Sequence, residues 1–181
     1  MNRNIAVCIP LNKSFLKETE KLYSQLEKKF NLSFMKNKLC RPHINLCAGH
    51  TNNLLELQKK ISKIKIPKKN RKIIYLGLGM FIQKKPTFYL RFSSEDIFLK
   101  LRKKLLKYSD IWLKIEDTVN DNIWIPKSSI IHDEISIKDK NFINIIKYLD
   151  TWNFSQKSLL VNQISIIDYT DIEQEIISYK I

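Results

Sequence analysis

The chain has 181 residues, of which 44% are hydrophobic and 28% charged, a composition that excludes a disordered protein and suffices for a folded core. Its net charge of +14 suits an anionic ligand, but Lys is abundant throughout, so the charge alone indicates little. The apolar runs are too short to cross a bilayer, and the first residues lack a signal-peptide apolar region. We therefore predict a cytoplasmic protein with no membrane partner.

The cysteines point to the same compartment. Cys8, Cys40 and Cys47 are odd in number and lack the spacing of a zinc site. This pattern predicts buried or idle thiols in a reducing compartment, with neither a disulfide framework nor a metal site.

The first half of the chain alternates strand-like and helical patterns. An apolar run at 4–11 predicts a strand, and apolar residues spaced at the helical period predict a helix over 14–30. The run RPHINLCAG at 41–49 predicts a second strand, and a second helix is predicted over 53–61. This order is typical of helices packed on a sheet.

The second half repeats the order after a predicted hairpin. Two hairpin strands, a helix, a strand, a helix and a closing strand are predicted at 72–82, 86–93, 95–107, 123–131, 139–150 and 158–170. Each half thus contains a strand, a helix, a strand with a pair of polar residues, and another helix. Glycines are few and no linker is evident, so we predict one α+β domain over 1–181, with antiparallel sheets and outer helices.

The two strands with polar pairs carry the candidate chemistry. Side chains two positions apart on a strand share a face, so PHINL directs His43 and Asn45 to one side, and PKSSI directs Lys127 and Ser129 to one side. Side by side, the strands would bring together an imidazole, an ammonium and two short polar groups. That set suits a phosphate and includes no carboxylate cluster for a metal. Alternatively, His43 satisfies a backbone group and Lys127 reaches solvent.

The order and spacing of these motifs resemble the two-histidine (2H) phosphoesterases, in the branch called RNA 2′,5′-ligase-like or LigT-like. That family has two motifs of His, any residue, Thr or Ser, apolar, commonly after proline, and the second often follows Trp, apolar, Pro. Here the motifs are PHINL at 42–46 and WIPKSSI at 124–130. The resemblance covers nearly the whole chain. It implies a bilobal fold with two pseudo-twofold-related antiparallel sheets around a central cleft, and chemistry without a metal or cofactor.

The resemblance also implies roles for the four polar residues. Family members act on 2′,5′ linkages or cyclic phosphates, with one histidine taking a proton and the other giving one. By position His43 is one catalytic histidine, Asn45 replaces the usual hydroxyl, Ser129 keeps it, and Lys127 stands where the second histidine belongs. An amine, with an ordinary pKa near 10.4 against about 6.5 for imidazole, is a poor acid–base partner at neutral pH but still attracts phosphate.

His132 is the nearest substitute for the missing histidine. It lies five residues beyond Lys127, so a regular strand would turn it to the opposite face, and only a bulge or strand end would bring it round. His50, seven beyond His43, has the same difficulty. Otherwise both are rim or surface residues.

Other strand residues are candidate ligand contacts. A base could stack on an aromatic ring, although core packing is the alternative for each of them. These aromatic residues are Phe81, Phe88, Tyr89 and Trp124. Arg91 is a candidate anion contact, because an arginine on an interior strand needs a partner.

Three functions follow, ranked in this order. The first is binding or sequestration of a phosphodiester-containing nucleotide, such as a cyclic nucleotide or a short RNA-like oligonucleotide, without turnover. The second is an active metal-independent phosphodiesterase in which His43 works with Lys127, His132 or water. The third is an RNA-binding module that uses the basic run at 59–72. None requires a cofactor or an obligate protein partner.

Overall fold

Two antiparallel sheets and four α-helices make up the part of the chain that the computed structural model describes. The described residues are 2–33, 41–93, 95–108, 110–115, 124–170 and 174–181. The predicted α+β class with antiparallel sheets is confirmed. The prediction for Cys40 lies outside the described residues.

The helices and strands follow the predicted order closely. In chain order they are β1 (Arg3–Pro10), α1 (Lys13–Phe30), β2 (His43–Thr51), α2 (Leu54–Ser62), β3 (Lys72–Phe81), β4 (Thr87–Phe92), α3 (Asp96–Leu106), β5 (Trp112–Ile115), β6 (Lys127–Ile131), α4 (Phe142–Asp150), β7 (Ser158–Leu160), β8 (Gln163–Asp168) and β9 (Gln174–Lys180). A short 3-10 turn, Lys68–Asn70, precedes β3. The strands β5 and β9 were not predicted.

The order of strands in the two sheets shows the internal duplication. The larger sheet has the order β5-β2-β1-β8-β9, and the smaller has β6-β4-β3-β7. The pair β1 and β2, joined through α1, corresponds to β4 and β6, joined through α3. β8 and β9 then correspond to β3 and β7. Each strand with a polar pair thus lies beside the strand that precedes its helix.

The prediction of a single closing strand over 158–170 is wrong. β7 pairs with β3 in the smaller sheet, whereas β8 pairs with β1 in the larger one. Between them the N–H of Val161 donates to the carbonyl of Arg71, and the carbonyl of Asn162 accepts from Ile181. The chain therefore crosses from one sheet to the other within a largely apolar run whose sequence shows no break between the two strands.

The first and third helices also tie the halves together. Phe15 of α1 packs edge-on against Tyr75 and Phe92 of the smaller sheet, with ring centroids 5.7 and 5.5 Å apart. Arg102 of α3 is fully buried and donates to the carbonyl of Leu46 in the larger sheet. Each helix therefore packs against the sheet of the other half, and the main core cluster includes side chains from both sheets.

Both ends of α1 are determined by asparagine residues that cap the helix. The side chain of Asn12 accepts from the N–H of Phe15 at the start, and Asn31 ends the helix in the left-handed conformation with φ 58°. None of the helices described is long and apolar enough to cross a membrane.

Candidate functional site

β2 carries a bulge directly after its polar pair. Cys8 of β1 pairs with Asn45 and Val7 pairs with Cys47, so Leu46 is an extra residue on β2. Leu46 and Cys47 are consecutive and both fully buried in the main core. The bulge therefore shifts the alternation of faces by one residue beyond this point.

β6 carries a bulge at the corresponding place. Tyr89 of β4 pairs with Ser129 and Phe88 pairs with Ile131, so Ile130 is an extra residue on β6. Ile130 and Ile131 are again consecutive and buried in the main core. A bulge at the same offset from both polar pairs extends the internal duplication from strand order to backbone detail.

His43 and Asn45 lie on the face of the larger sheet opposite the main core. Ile44 between them is fully buried in that core. Cys8, the partner of Asn45, belongs instead to a separate small cluster with Ile167, against which Tyr169 packs. The polar pair thus shares its sheet face with the end of β8, as the two-residue alternation of a strand predicts.

Both ring nitrogens of His43 have partners. Nδ1 is 2.9 Å from the carbonyl oxygen of Arg41, and Nε2 is 3.0 Å from the hydroxyl oxygen of Tyr169. Because a carbonyl oxygen can only accept, Nδ1 must carry a hydrogen. In the neutral ring Nε2 therefore accepts from the Tyr169 hydroxyl. Nε2, the nitrogen that can take up a proton, is thus the one that faces the residue just after β8.

A second polar network supports the chain just before His43. The guanidinium of Arg41 donates to both carboxylate oxygens of Glu175 at 2.8 to 3.1 Å, and the hydroxyls of Ser165 and Ser178 also donate to this carboxylate. Burial raises the pKa of Glu175, but these hydrogen bonds and the Arg41 charge outweigh it, so the pKa lies below its ordinary value. The carbonyl that fixes the His43 ring is thus on a residue anchored to β9.

Lys127 lies over two aromatic rings on the smaller sheet. Its Nζ is 5.5 Å from the centre of the Phe81 ring and 5.9 Å from that of Tyr89. The two rings are 4.7 Å apart. An ammonium above aromatic faces is attracted by the ring quadrupole, which holds the charge on this side of the sheet.

The neighbouring strand positions place two more predicted contacts on this face. Arg91 pairs with Lys127 and Tyr89 pairs with Ser129, whereas the intervening Leu90 is buried in the main core. Arg91 is exposed, and Tyr89 is almost fully buried. The Tyr89 ring therefore lies beneath the surface of this face. Arg91 is exposed enough to contact an anion.

His132 lies on the same face as Lys127. Its Nδ1 is 3.1 Å from Oγ1 of Thr87, and Thr87 alternates with the core residues of β4 on the side of Tyr89. A regular strand would have turned His132 the other way, and the bulge at Ile130 reverses that parity. The structure therefore contains the bulge that is needed to bring His132 to the face of Lys127.

His50 is shifted in the same way. It pairs with Asn4, which lies four residues before Cys8 on β1 and so on the same face. The bulge at Leu46 therefore puts His50 on the face of His43. It is half-buried, near the end of β2.

The two strands with polar pairs are neighbours across the boundary between the sheets. Cα atoms of β2 and β6 approach within 8 Å. The indole N–H of Trp124, just before β6, donates to the carbonyl of Asn45 at 3.3 Å, and the hydroxyl of Tyr23 in α1 donates to the carbonyl of Ser129 at 3.0 Å. The Arg102 guanidinium lies 5.5 Å from the Trp124 ring centre. Trp124 thus bridges the two motifs and has protein partners on both its ring and its N–H.

Several residues of this site were missed by sequence reasoning. They are Arg41, Thr87, Tyr169 and Glu175. Tyr169 continues the alternation of Ser165 and Ile167 along β8, so the sequence alone could have predicted its face of the sheet. Its contact with His43 could not be predicted in this way. Among the described residues no group of three or more His, Cys, Asp or Glu side chains could hold a metal ion.

Comparison with known proteins adds no family assignment. No protein-family model matches the chain, and no curated protein matches it significantly. The resemblance to the 2H phosphoesterases rests on the two sequence motifs and on their order and spacing along the chain.

Proposed function

We propose that this chain is a 2H-phosphoesterase-like protein that binds a phosphodiester-containing nucleotide in a central cleft between two lobes. The ligand class is a cyclic nucleotide or a short oligonucleotide with 2′,5′ linkages or a cyclic phosphate. The observation that carries the proposal is the pair of matched bulges on β2 and β6. They give the motifs at His43 and Lys127 the same backbone frame on neighbouring strands.

The charges and rings near these motifs suit such a ligand. When the His43 ring carries a second proton, Nε2–H can donate to a phosphate oxygen, and the Tyr169 hydroxyl beside it, no longer donating to the ring, can donate to the same phosphate. The ammonium of Lys127 supplies a point charge, and Arg91 lies beside it on the next strand. The Phe81 ring, which is 37% exposed and close to Lys127, offers an apolar surface on which a base can stack.

Binding without turnover is favoured by the identity of residue 127. Acid–base catalysis by a positioned pair is typically worth about 10² to 10⁴-fold, and a lysine in place of a histidine removes one member. Electrostatic attraction for the phosphate remains. The protein would then hold or sequester a nucleotide, which is the behaviour expected of a receptor for a nucleotide signal.

Isothermal titration with a nucleotide panel tests the proposal. The panel contains 2′,3′-cyclic mononucleotides, cyclic dinucleotides, 2′,5′-linked oligoadenylates and ADP-ribose, and mass spectrometry of the recovered ligand reports turnover. We expect at least one tight ligand, recovered intact. Affinity should fall by about 10-fold or more in His43→Ala and Lys127→Ala, because charged hydrogen bonds are worth roughly 1.5 to 3 kcal/mol.

Lys59→Ala is the matched control for general charge. Lys59 lies in the basic run, and its side chain is 71% exposed on α2. It should leave the affinity unchanged. If no ligand binds, the proposal fails. If Lys59→Ala weakens binding as much as Lys127→Ala and the affinity falls steeply with salt, the basic surface binds RNA instead.

A second candidate function is turnover, with His132 as the partner of His43. It is favoured by the bulge at Ile130, which puts His132 on the face of Lys127. Hydrolysis of a cyclic phosphodiester in EDTA, lost in both His43→Ala and His132→Ala, would support it. His50→Ala controls for the third histidine of the chain. Turnover that persists in His43→Ala would remove this candidate.

A further inference from the structure

A cavity of about 530 Å³ lies between β3 and the end of α4. Its walls are mainly apolar and include Leu78, Met80, Ile146 and Trp152. Tyr75 also lines it, and burial raises the pKa of the Tyr75 hydroxyl to about 12. The volume falls in the range of about 300 to 1,000 Å³ that small-molecule sites occupy.

The cavity is separate from the candidate nucleotide site. Leu78, Met80 and Phe88 line it and pack with the main core. Tyr89 and Arg91, which alternate with core residues on β4, lie on the opposite face of the same sheet. None of the motif residues contributes to its walls. An occupant of this cavity would therefore be a second ligand.

β3 is irregular where it lines the cavity. The pairing of β3 with β4 shifts between Tyr75 and Gly77, which makes Leu76 an extra residue. Gly77 has φ 111°, a conformation that side-chain-bearing residues rarely adopt, and a Cβ placed there would meet no atom within 4 Å. Leu76 and Gly77 both line the cavity, so this irregular stretch of backbone forms part of its wall.

The rim carries a fixed ammonium. Nζ of Lys157 donates to Oδ1 of Asn153 at 2.8 Å and to the carbonyl of Phe154 at 2.7 Å. Within the described ranges Lys157 forms no ion pair, so two of its three N–H groups are used and neither acceptor is charged. Asp150 also lines the cavity, and it forms no ion pair with any described residue.

We propose that this cavity binds a small, mainly apolar molecule that carries one anionic group. The apolar body lies against the walls contributed by β3 and α4, and the anion accepts a hydrogen bond from Lys157. The positive charge of Lys157, held in place by its two hydrogen bonds, favours an anion at the rim. The negative charge of Asp150 repels the same anion and so weakens its binding.

Two dyes test the site, 1-anilinonaphthalene-8-sulfonate and its neutral relative N-phenyl-1-naphthylamine. Both should give saturable fluorescence with one dye bound per chain. Ile146→Phe, which adds volume to the cavity wall, should weaken both by about 10-fold or more. Ile143→Phe is the matched control, because Ile143 lies on the same helix, is 57% exposed and does not line the cavity.

Charge variants test the anion. Lys157→Gln should weaken the sulfonate dye by up to about 5-fold, as expected for an exposed ion pair, and leave the neutral dye unchanged. Asp150→Asn should strengthen the sulfonate dye and again leave the neutral one unchanged. Equal effects on both dyes would contradict the role of the anion.

The proposal is overturned if neither dye saturates at one per chain, or if Ile146→Phe binds like the native chain. Loss of dye binding in His43→Ala would also overturn it, because the dye would then occupy the nucleotide site. Near-ultraviolet circular dichroism checks that each variant is folded, and Met80→Phe replaces Ile146→Phe if that variant does not fold. Nucleotide titrations are a separate measurement, so either proposal can fail alone.

Discussion

Replacing Gly79 with alanine should destabilise the protein by pushing Tyr89 off the floor of the candidate site. A Cβ on Gly79 would lie 2.4 Å from Cε2 of Tyr89, 2.6 Å from Cζ and 2.8 Å from the hydroxyl oxygen. Ordinary contacts begin near 3.4 Å, so the ring must move by roughly 1 Å. It has little room, because Tyr89 is only 5% exposed and the Phe81 ring packs against it.

The magnitude follows from two opposing effects. Overpacking a close-packed site costs about 1 to 3 kcal/mol, and alanine regains about 0.4 to 1 kcal/mol by restricting the unfolded chain. We therefore expect a loss of about 1 to 2 kcal/mol in the free energy of unfolding. With a urea dependence of about 2 kcal/mol per molar, the unfolding midpoint should fall by roughly 0.5 to 1 M. Tryptophan fluorescence during urea denaturation measures this shift.

Repeating Gly79→Ala in a Tyr89→Leu variant tests whether the contact with the Tyr89 ring causes the loss of stability. Tyr89→Leu removes the three atoms that the new Cβ would meet, so Gly79→Ala should cost nothing further in that background. Gly77→Ala, at φ 111° with open space around it, should cost the same in both backgrounds because its strain is in the backbone. A contact between the new Cβ and the Tyr89 ring is excluded if Gly79→Ala is as stable as the native chain, or if its cost is equal with and without that ring.

Three further predictions concern the site and its support. Lys127→His should raise hydrolysis of a 2′,3′-cyclic nucleotide by about 10²-fold or more, measured by chromatography, because it restores the acid–base pair; no increase would count against the motif assignment. Tyr169→Phe should weaken nucleotide binding about 5-fold in calorimetry, because His43 loses the partner of Nε2; unchanged affinity would contradict this. The lowered pKa of Glu175 stabilises the fold above its ordinary value of 4.5, and this stabilisation is lost as the pH falls through the lower folded pKa. Urea midpoints of Glu175→Gln should therefore fall less on acidification than those of the native chain, and identical pH profiles would exclude this contribution.

Local periodicity was sufficient to predict much of the fold. The stripe of buried residues on α1 follows the helical period, and it includes Phe15, Leu22 and Leu26. The two-residue alternation of β2 likewise separates His43 from Ile44. These features depend on neighbours in sequence, which is why a single sequence reveals them.

The features that sequence reasoning missed depend on pairing between distant strands. The bulges at Leu46 and Ile130 exist only relative to β1 and β4, and they decide which way His50 and His132 face. The crossing of the chain after β7 is invisible for the same reason, because the apolar run continues through it. The contact of Tyr169 with His43 also joins residues 126 positions apart.

The crystal structure of a complex with the tightest ligand of the nucleotide panel tests the proposed nucleotide site most directly. We expect a phosphate of the ligand within hydrogen-bonding distance of Nε2 of His43 and of Nζ of Lys127, with a base against the exposed part of the Phe81 ring. A ligand whose phosphate contacts only the basic run at 59–72, and neither motif, would contradict it.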